Sequence, residues 1–112
     1  MDHDERVSGF FEHVLNGAGY VVEVAGNVSA AVEKARADRF DLLMAELEMP
    51  MIGGIEQLQM LSEEQPGLKM VASSGEPGGT FPKAAEALGI RTRLLKPVSP
   101  EQLVSAVKAE LL

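Results

Sequence analysis

Apolar residues recur at three- and four-residue spacing at Val7, Phe10, Phe11, Val14 and Leu15, so the spacing predicts a helix with one stripe facing a core. Gly17 and Gly19 stop that helix before the run from Tyr20 to Ala25, Tyr-Val-Val-Glu-Val-Ala, whose β-branched content predicts a strand. Val28, Ala31, Val32 and Ala35 repeat the helical period. The run from Phe40 to Ala45 is short and almost wholly apolar, which suits a strand covered on both faces. Ile55, Leu58 and Leu61 mark a third helix that ends near Pro66 and Gly67, and Leu68 to Ala72 is the next strand. The glycine-rich stretch from Gly75 to Gly79 reads as a loop before a short alanine-rich helix around Pro82 to Leu88, and Thr92 to Leu95 is the last strand. Ser99 then supplies a helix cap, with Pro100 at the first helical position and Gln102 three residues after the cap, leading into Leu103, Val104, Val107 and Leu111.

Strands alternating with helices predict an α/β fold, a doubly wound parallel sheet with helices on both faces and its crevice at the carboxyl ends of the strands. The chain has 112 residues, of which 46% are hydrophobic, enough for one core and too few for two ordinary domains, so residues 1–112 are read as one domain. There is no cysteine, which excludes disulfides and thiolate metal sites. No apolar run approaches the roughly 20 residues of a bilayer span, and the start, Met-Asp-His-Asp-Glu, is acidic where a signal peptide is basic and then apolar. The expectation is a cytoplasmic domain with no membrane contact. A formal net charge of -7 opposes direct nucleic-acid binding, which needs clustered Lys and Arg. The acidity is read as solvated helix surface.

The strand ends carry motifs. Glu46 begins Glu-Leu-Glu-Met-Pro-Met-Ile-Gly-Gly, with Met49, Pro50 and Gly54 at fixed spacing; Ser73, Ser74 and Gly75 close the next strand; Leu94, Leu95, Lys96 and Pro97 close the last. Asp2, His3 and Asp4 cluster near the start. Taken in order, these four features resemble the response-regulator receiver family over the whole chain. The resemblance implies a flavodoxin-like sheet of order 2-1-3-4-5 and a role in two-component signalling or a phosphorelay. In that family an aspartate accepts a phosphoryl group, an acidic pair and that aspartate hold magnesium, and a lysine and a hydroxyl contact the phosphoryl oxygens. By position, the resemblance makes Glu46 the phosphoacceptor equivalent, Asp2, His3 and Asp4 the acidic-pocket equivalents, Ser74 the switch hydroxyl and Lys96 the phosphate-contact lysine.

The departures fall in that same pocket. Glu46 stands where the family has aspartate, and its extra methylene moves the carboxylate by more than about 1 Å, roughly a displacement that costs 100-fold in rate. His3 replaces the second acid, and imidazole is a poor magnesium ligand. Gly53 replaces another acidic position, and Arg93 stands at the family's aromatic switch. The resemblance therefore implies a pseudo-receiver with no required cofactor, at most weak magnesium binding through Asp2, Asp4 and Glu46, and no catalysis of its own. The long carboxylate of Glu46 could imitate a phosphorylated aspartate toward Lys96, or form a plain ion pair; the sequence leaves both open. Bland readings suffice elsewhere: His13 as a surface residue, and Met44, Met49, Met51, Met60 and Met70 as core filler.

Receivers carry four or five apolar residues before the acidic pair, as a central first strand, and this chain has only Met1 there. For the fold the expectation is direct pairing of the Tyr20 and Phe40 strands; pairing with another chain, or a true start upstream of Met1, would also account for the shortage. The function expected is phosphorylation-independent binding of a protein partner, a signalling kinase or effector. A working phosphoacceptor with an atypical pocket and a structural homodimerisation unit are the alternatives.

Overall fold

The computed structural model describes residues 1–2, 4–46, 54–74 and 88–112. Helices α1 (Glu5–Gly17) and α2 (Val28–Ala37) precede strand β1 (Leu42–Glu46), helix α3 (Gly54–Glu64), strands β2 (Lys69–Ser74) and β3 (Thr92–Leu95), and helix α4 (Pro100–Leu111). The Gly75 to Gly79 loop and residues 82–87 of the expected short helix lie outside the described residues; Leu88 is helical and buried.

Local chemistry starts the helices where the sequence places them. Asn27 accepts from the Ala30 N–H at the start of α2. At α4 the reciprocal box is complete: Ser99 Oγ accepts from the Gln102 N–H at 3.1 Å, and Gln102 Oε1 from the Ser99 N–H at 3.0 Å. Gly19, at φ +97°, turns the chain after α1 in a conformation that favours glycine.

The sheet has the order β1-β2-β3, all parallel, with Leu42 opposite Lys69 and Ser73 opposite Leu94. Its side chains alternate between two cores. Leu43, Ala45, Met70 and Ala72 join Val32, Leu58 and Leu61 of α2 and α3 on one face. Leu42, Met44, Val71 and Leu94 join Leu15, Leu103 and Val107 of α1 and α4 on the other. Helices thus cover both faces, the doubly wound arrangement that the alternation predicts.

Three expectations are corrected. Tyr20 to Ala25 joins no ladder, although its burial still alternates: Tyr20, Val22 and Val24 are partly buried, and Val21 and Glu23 are exposed. The Tyr20 and Phe40 segments do not pair, because Met1 and Asp2 lie between them. Met1 donates its terminal N–H to the Met44 carbonyl at 2.8 Å and accepts from the Glu46 N–H at 3.0 Å, while the Asp2 N–H donates to the Ala25 carbonyl at 3.1 Å. Met60 is 54% exposed and is not core filler. Met70 is buried and Met44 packs beside the core. His13 is exposed, as read from its helix position, and Met49 and Met51 lie outside the described residues. Among the described residues no helix is long and apolar enough to cross a membrane.

Candidate functional site

Three side chains from distant parts of the chain meet at the carboxyl end of the sheet. Glu46 ends β1, Lys96 follows β3, and Asp2 is set beside them by the backbone hydrogen bonds of Met1 and Asp2. Lys96 Nζ donates to Asp2 Oδ2 at 2.8 Å and to Glu46 Oε1 at 2.9 Å. The Asp2 and Glu46 side chains are 4% and 2% exposed, and that of Lys96 17%. Burial works against the lysine's charge, but the hydrogen bonds and attraction of the two carboxylates outweigh it and hold its pKa above the ordinary lysine value. Asp2 Oδ1 also accepts from the Asp4 N–H at 2.9 Å.

Asp4 does different work from the one its position in the acidic cluster implies. It is the N-cap of α1, its Oδ1 accepting from the Arg6 N–H at 2.9 Å, and its carboxylate pairs with the Arg6 guanidinium at 3.4 Å. Those hydrogen bonds hold its pKa below the usual carboxylate value. His3 and Gly53 lie outside the described residues, as does the side chain of Ser74. Arg93 is exposed on β3.

Ser73 is the residue that the sequence reading passed over. In the ladder it stands directly opposite Glu46, and it is 1% exposed. It follows Val71 by two residues, so it shares that residue's side of the sheet, where Leu42 and Met44 place Glu46 as well. Adjacent serines can be told apart only by register, which the sequence alone does not give.

Magnesium requires near-octahedral oxygen ligation. Among the described residues no three acidic or imidazole groups converge on a point, both buried carboxylates are bound by Lys96, and Asp4 is committed to α1. The described residues therefore do not fit a magnesium site in this arrangement.

The family model described as the response regulator receiver domain matches residues 1–108. The chain belongs to that family. It is 29% identical over 104 residues to a response regulator receiver protein of Anaeromyxobacter sp., covering 93% of this chain and 44% of that one. It is also 29% identical over 115 residues to the alkaline phosphatase synthesis transcriptional regulatory protein PhoP of Bacillus subtilis, covering 99% and 46%. The chain thus spans less than half the length of these relatives. Among solved structures, the chemotaxis protein CheY4 of Vibrio cholerae matches with a TM-score of 0.87 at 26% identity, covering 98% of this chain and 93% of that one. This receiver domain thus has the fold of a CheY-like protein while keeping a three-stranded sheet among its described residues.

Proposed function

We propose that this receiver domain works without phosphorylation, signalling by binding a protein partner in a two-component-type pathway and catalysing nothing itself. The observation that supports this reading is the engagement of Lys96 by both Asp2 and Glu46 at 2.8 and 2.9 Å. A lysine already neutralised by two buried carboxylates has its charge committed before any phosphoryl oxygen arrives. Glu46 carries its carboxylate one methylene further toward that lysine than an aspartate would, so the ion pair holds the pocket in one state. The assembled protein's output and the partner's surface belong to whatever the domain is joined to or meets.

The test is incubation with acetyl phosphate and magnesium beside a receiver that has an aspartate acceptor. Intact-protein mass spectrometry is expected to show the phosphoryl adduct on the control and none on this chain. An adduct here, mapped to Glu46 or a neighbour, would establish the working-phosphoacceptor alternative instead. Calorimetric titration is expected to give magnesium affinity no tighter than millimolar.

A further inference from the structure

The chain has two asparagines, Asn16 and Asn27, and their surroundings differ. Asn27 is the N-cap of α2: its Oδ1 accepts from the Ala30 N–H at 2.8 Å, and the residue that follows it, Val28, is β-branched and buried. Asn16 is exposed in the last turn of α1 and is followed by Gly17, which is exposed as well. The Asn16 carboxamide makes no hydrogen bond among the described residues.

The end of α1 is where this helix opens most easily, because the terminal turn is exposed and bonded on one side only. Residues 16–19 all face solvent. The Ala18 N–H is shared between the Val14 and Leu15 carbonyls, both at 3.1 Å, the Gly19 N–H donates to the Asn16 carbonyl at 3.1 Å, and the Tyr20 N–H to the Leu15 carbonyl at 3.0 Å. While the turn is closed, the helix holds the Gly17 nitrogen in its own ladder and away from the Asn16 side chain. Once it opens, nothing shields that nitrogen: glycine brings no side chain, and a Cβ placed there would meet nothing within 4 Å.

We propose that Asn16 is a self-modification site, converted through its neighbour Gly17 to aspartate and isoaspartate with loss of ammonia. When the turn opens, the Gly17 nitrogen attacks Asn16 Cγ. The N–Cγ bond forms, the Cγ–Nδ2 bond breaks, and ammonia leaves with the proton that the Gly17 amide gives up. Water then opens the five-membered imide. Attack at Cγ leaves aspartate in a normal backbone, and attack at the main-chain carbonyl leaves isoaspartate, with the chain routed through Cβ and Cγ. Either product adds a negative charge to a chain already at -7, at the helix end where the peptide dipoles are negative and the last turn holds no basic residue. Isoaspartate also lengthens the backbone by one atom among the hydrogen bonds of Ala18, Gly19 and Tyr20, so they cannot all re-form. The loosening reaches Tyr20, which packs against the core of the α1 and α4 face. The reaction needs no enzyme and runs one way, so the fraction converted records how long a copy of the chain has existed. Asn16 stands at the far end of α1 from the Asp4 cap, roughly 20 Å away by helix rise, so this inference does not rest on the phosphorylation reading.

The test is incubation of the 112-residue chain at pH 8 and 37 °C, followed by intact mass and peptide mapping. The expected result is a gain of one dalton at Asn16, with isoaspartate detected by enzymatic methylation of its free carboxylate, while Asn27 stays unchanged. Gly17→Ala keeps the fold, since its Cβ meets nothing within 4 Å. It should slow conversion roughly fivefold or more, because the higher helix propensity of alanine alone makes opening of the turn that much rarer. The isoaspartate form, separated by ion exchange, should have a lower Tm and faster hydrogen exchange at the Gly19 and Tyr20 amides than Asn16→Asp, which carries the charge without the added backbone atom. The urea-unfolded chain is the control in which Asn16 is free to react. Conversion there with none in the folded chain would overturn the proposal, because the helix would then protect the site. Equal conversion at Asn16 and Asn27 would also overturn it, as would an unaltered rate in Gly17→Ala.

Discussion

The ammonium of Lys96 lies 2.9 Å from Oε1 of Glu46, a carboxylate fifty positions earlier in the chain and 2% exposed. Asp2 shares the same ammonium. The Lys96 ammonium is therefore shared by two buried anions, which also attract the nearby Met1 ammonium, and the groups are interdependent in a way that an exposed pair is not.

Removing the cation should be the costlier change. Lys96→Met leaves two buried carboxylates without their shared partner and is expected to cost about 3–5 kcal/mol in urea unfolding. Glu46→Gln keeps a hydrogen-bond acceptor and leaves Lys96 paired with Asp2, so its loss should be the smaller. Equal stability of Lys96→Met and the parent would show that the cluster contributes nothing to the fold.

Alkaline unfolding should report the same lysine. Its pKa is raised in the folded state, so its contribution is fully present below the unfolded value, about 10.4, and is lost as pH rises through the higher folded value. Asp4 has the opposite sign: its lowered pKa gives stability above about 3.9 that is lost as pH falls through the folded value. Unfolding followed across pH 9 to 12 should show a decline in the parent that is absent from Lys96→Met.

The α4 cap offers a local check. Ser99→Ala removes the acceptor of the Gln102 N–H and should cost about 1 kcal/mol, leaving the Lys96 cluster and its alkaline decline in place. A change in the alkaline decline would show that the cap also sets the position of Lys96.

What the sequence revealed divides by range. The Ser99 to Gln102 box depends on residues within one turn, and it is found as read. β3 is found at Thr92–Leu95 because its flanks end it sharply. The pairing of Glu46 with Lys96 was legible through motif order, since strand ends of a parallel sheet gather at one edge. Asp4 was misleading: a carboxylate before a helix serves equally as pocket acid or N-cap, and the backbone of Arg6 decides. Ser73 was hidden by its neighbour until the register set it opposite Glu46. That the Tyr20 and Phe40 segments would stay apart around a cavity was not legible, because it depends on helices α1, α2 and α4 holding the two walls in place.

Filling the cavity of about 470 Å³ between β1 and the Tyr20 to Ala25 segment from within the chain is the most discriminating stability test. The walls already exist, so an added strand need only order itself. Ordering costs roughly 2 kcal/mol per residue. Against that, each buried aliphatic side chain contributes roughly 1.5–3 kcal/mol and each ladder hydrogen bond about 1 kcal/mol. Placing Ile-Leu-Val-Val directly before Met1 should therefore stabilise the domain by about 3 kcal/mol, a rise in Tm of roughly 10 °C. A second consequence carries the sign of the buried amine. Because the Met1 pKa is lowered by burial, its protonation opposes folding, so the parent should gain stability as pH rises toward about 8. The extension converts that amine to a peptide N–H and moves the charge out of the cavity, so this gain should vanish. Thermal unfolding of both chains from pH 6 to 9 measures both effects. An unchanged Tm would mean that the cavity closes by itself in solution, and a retained pH dependence would place the added residues outside it.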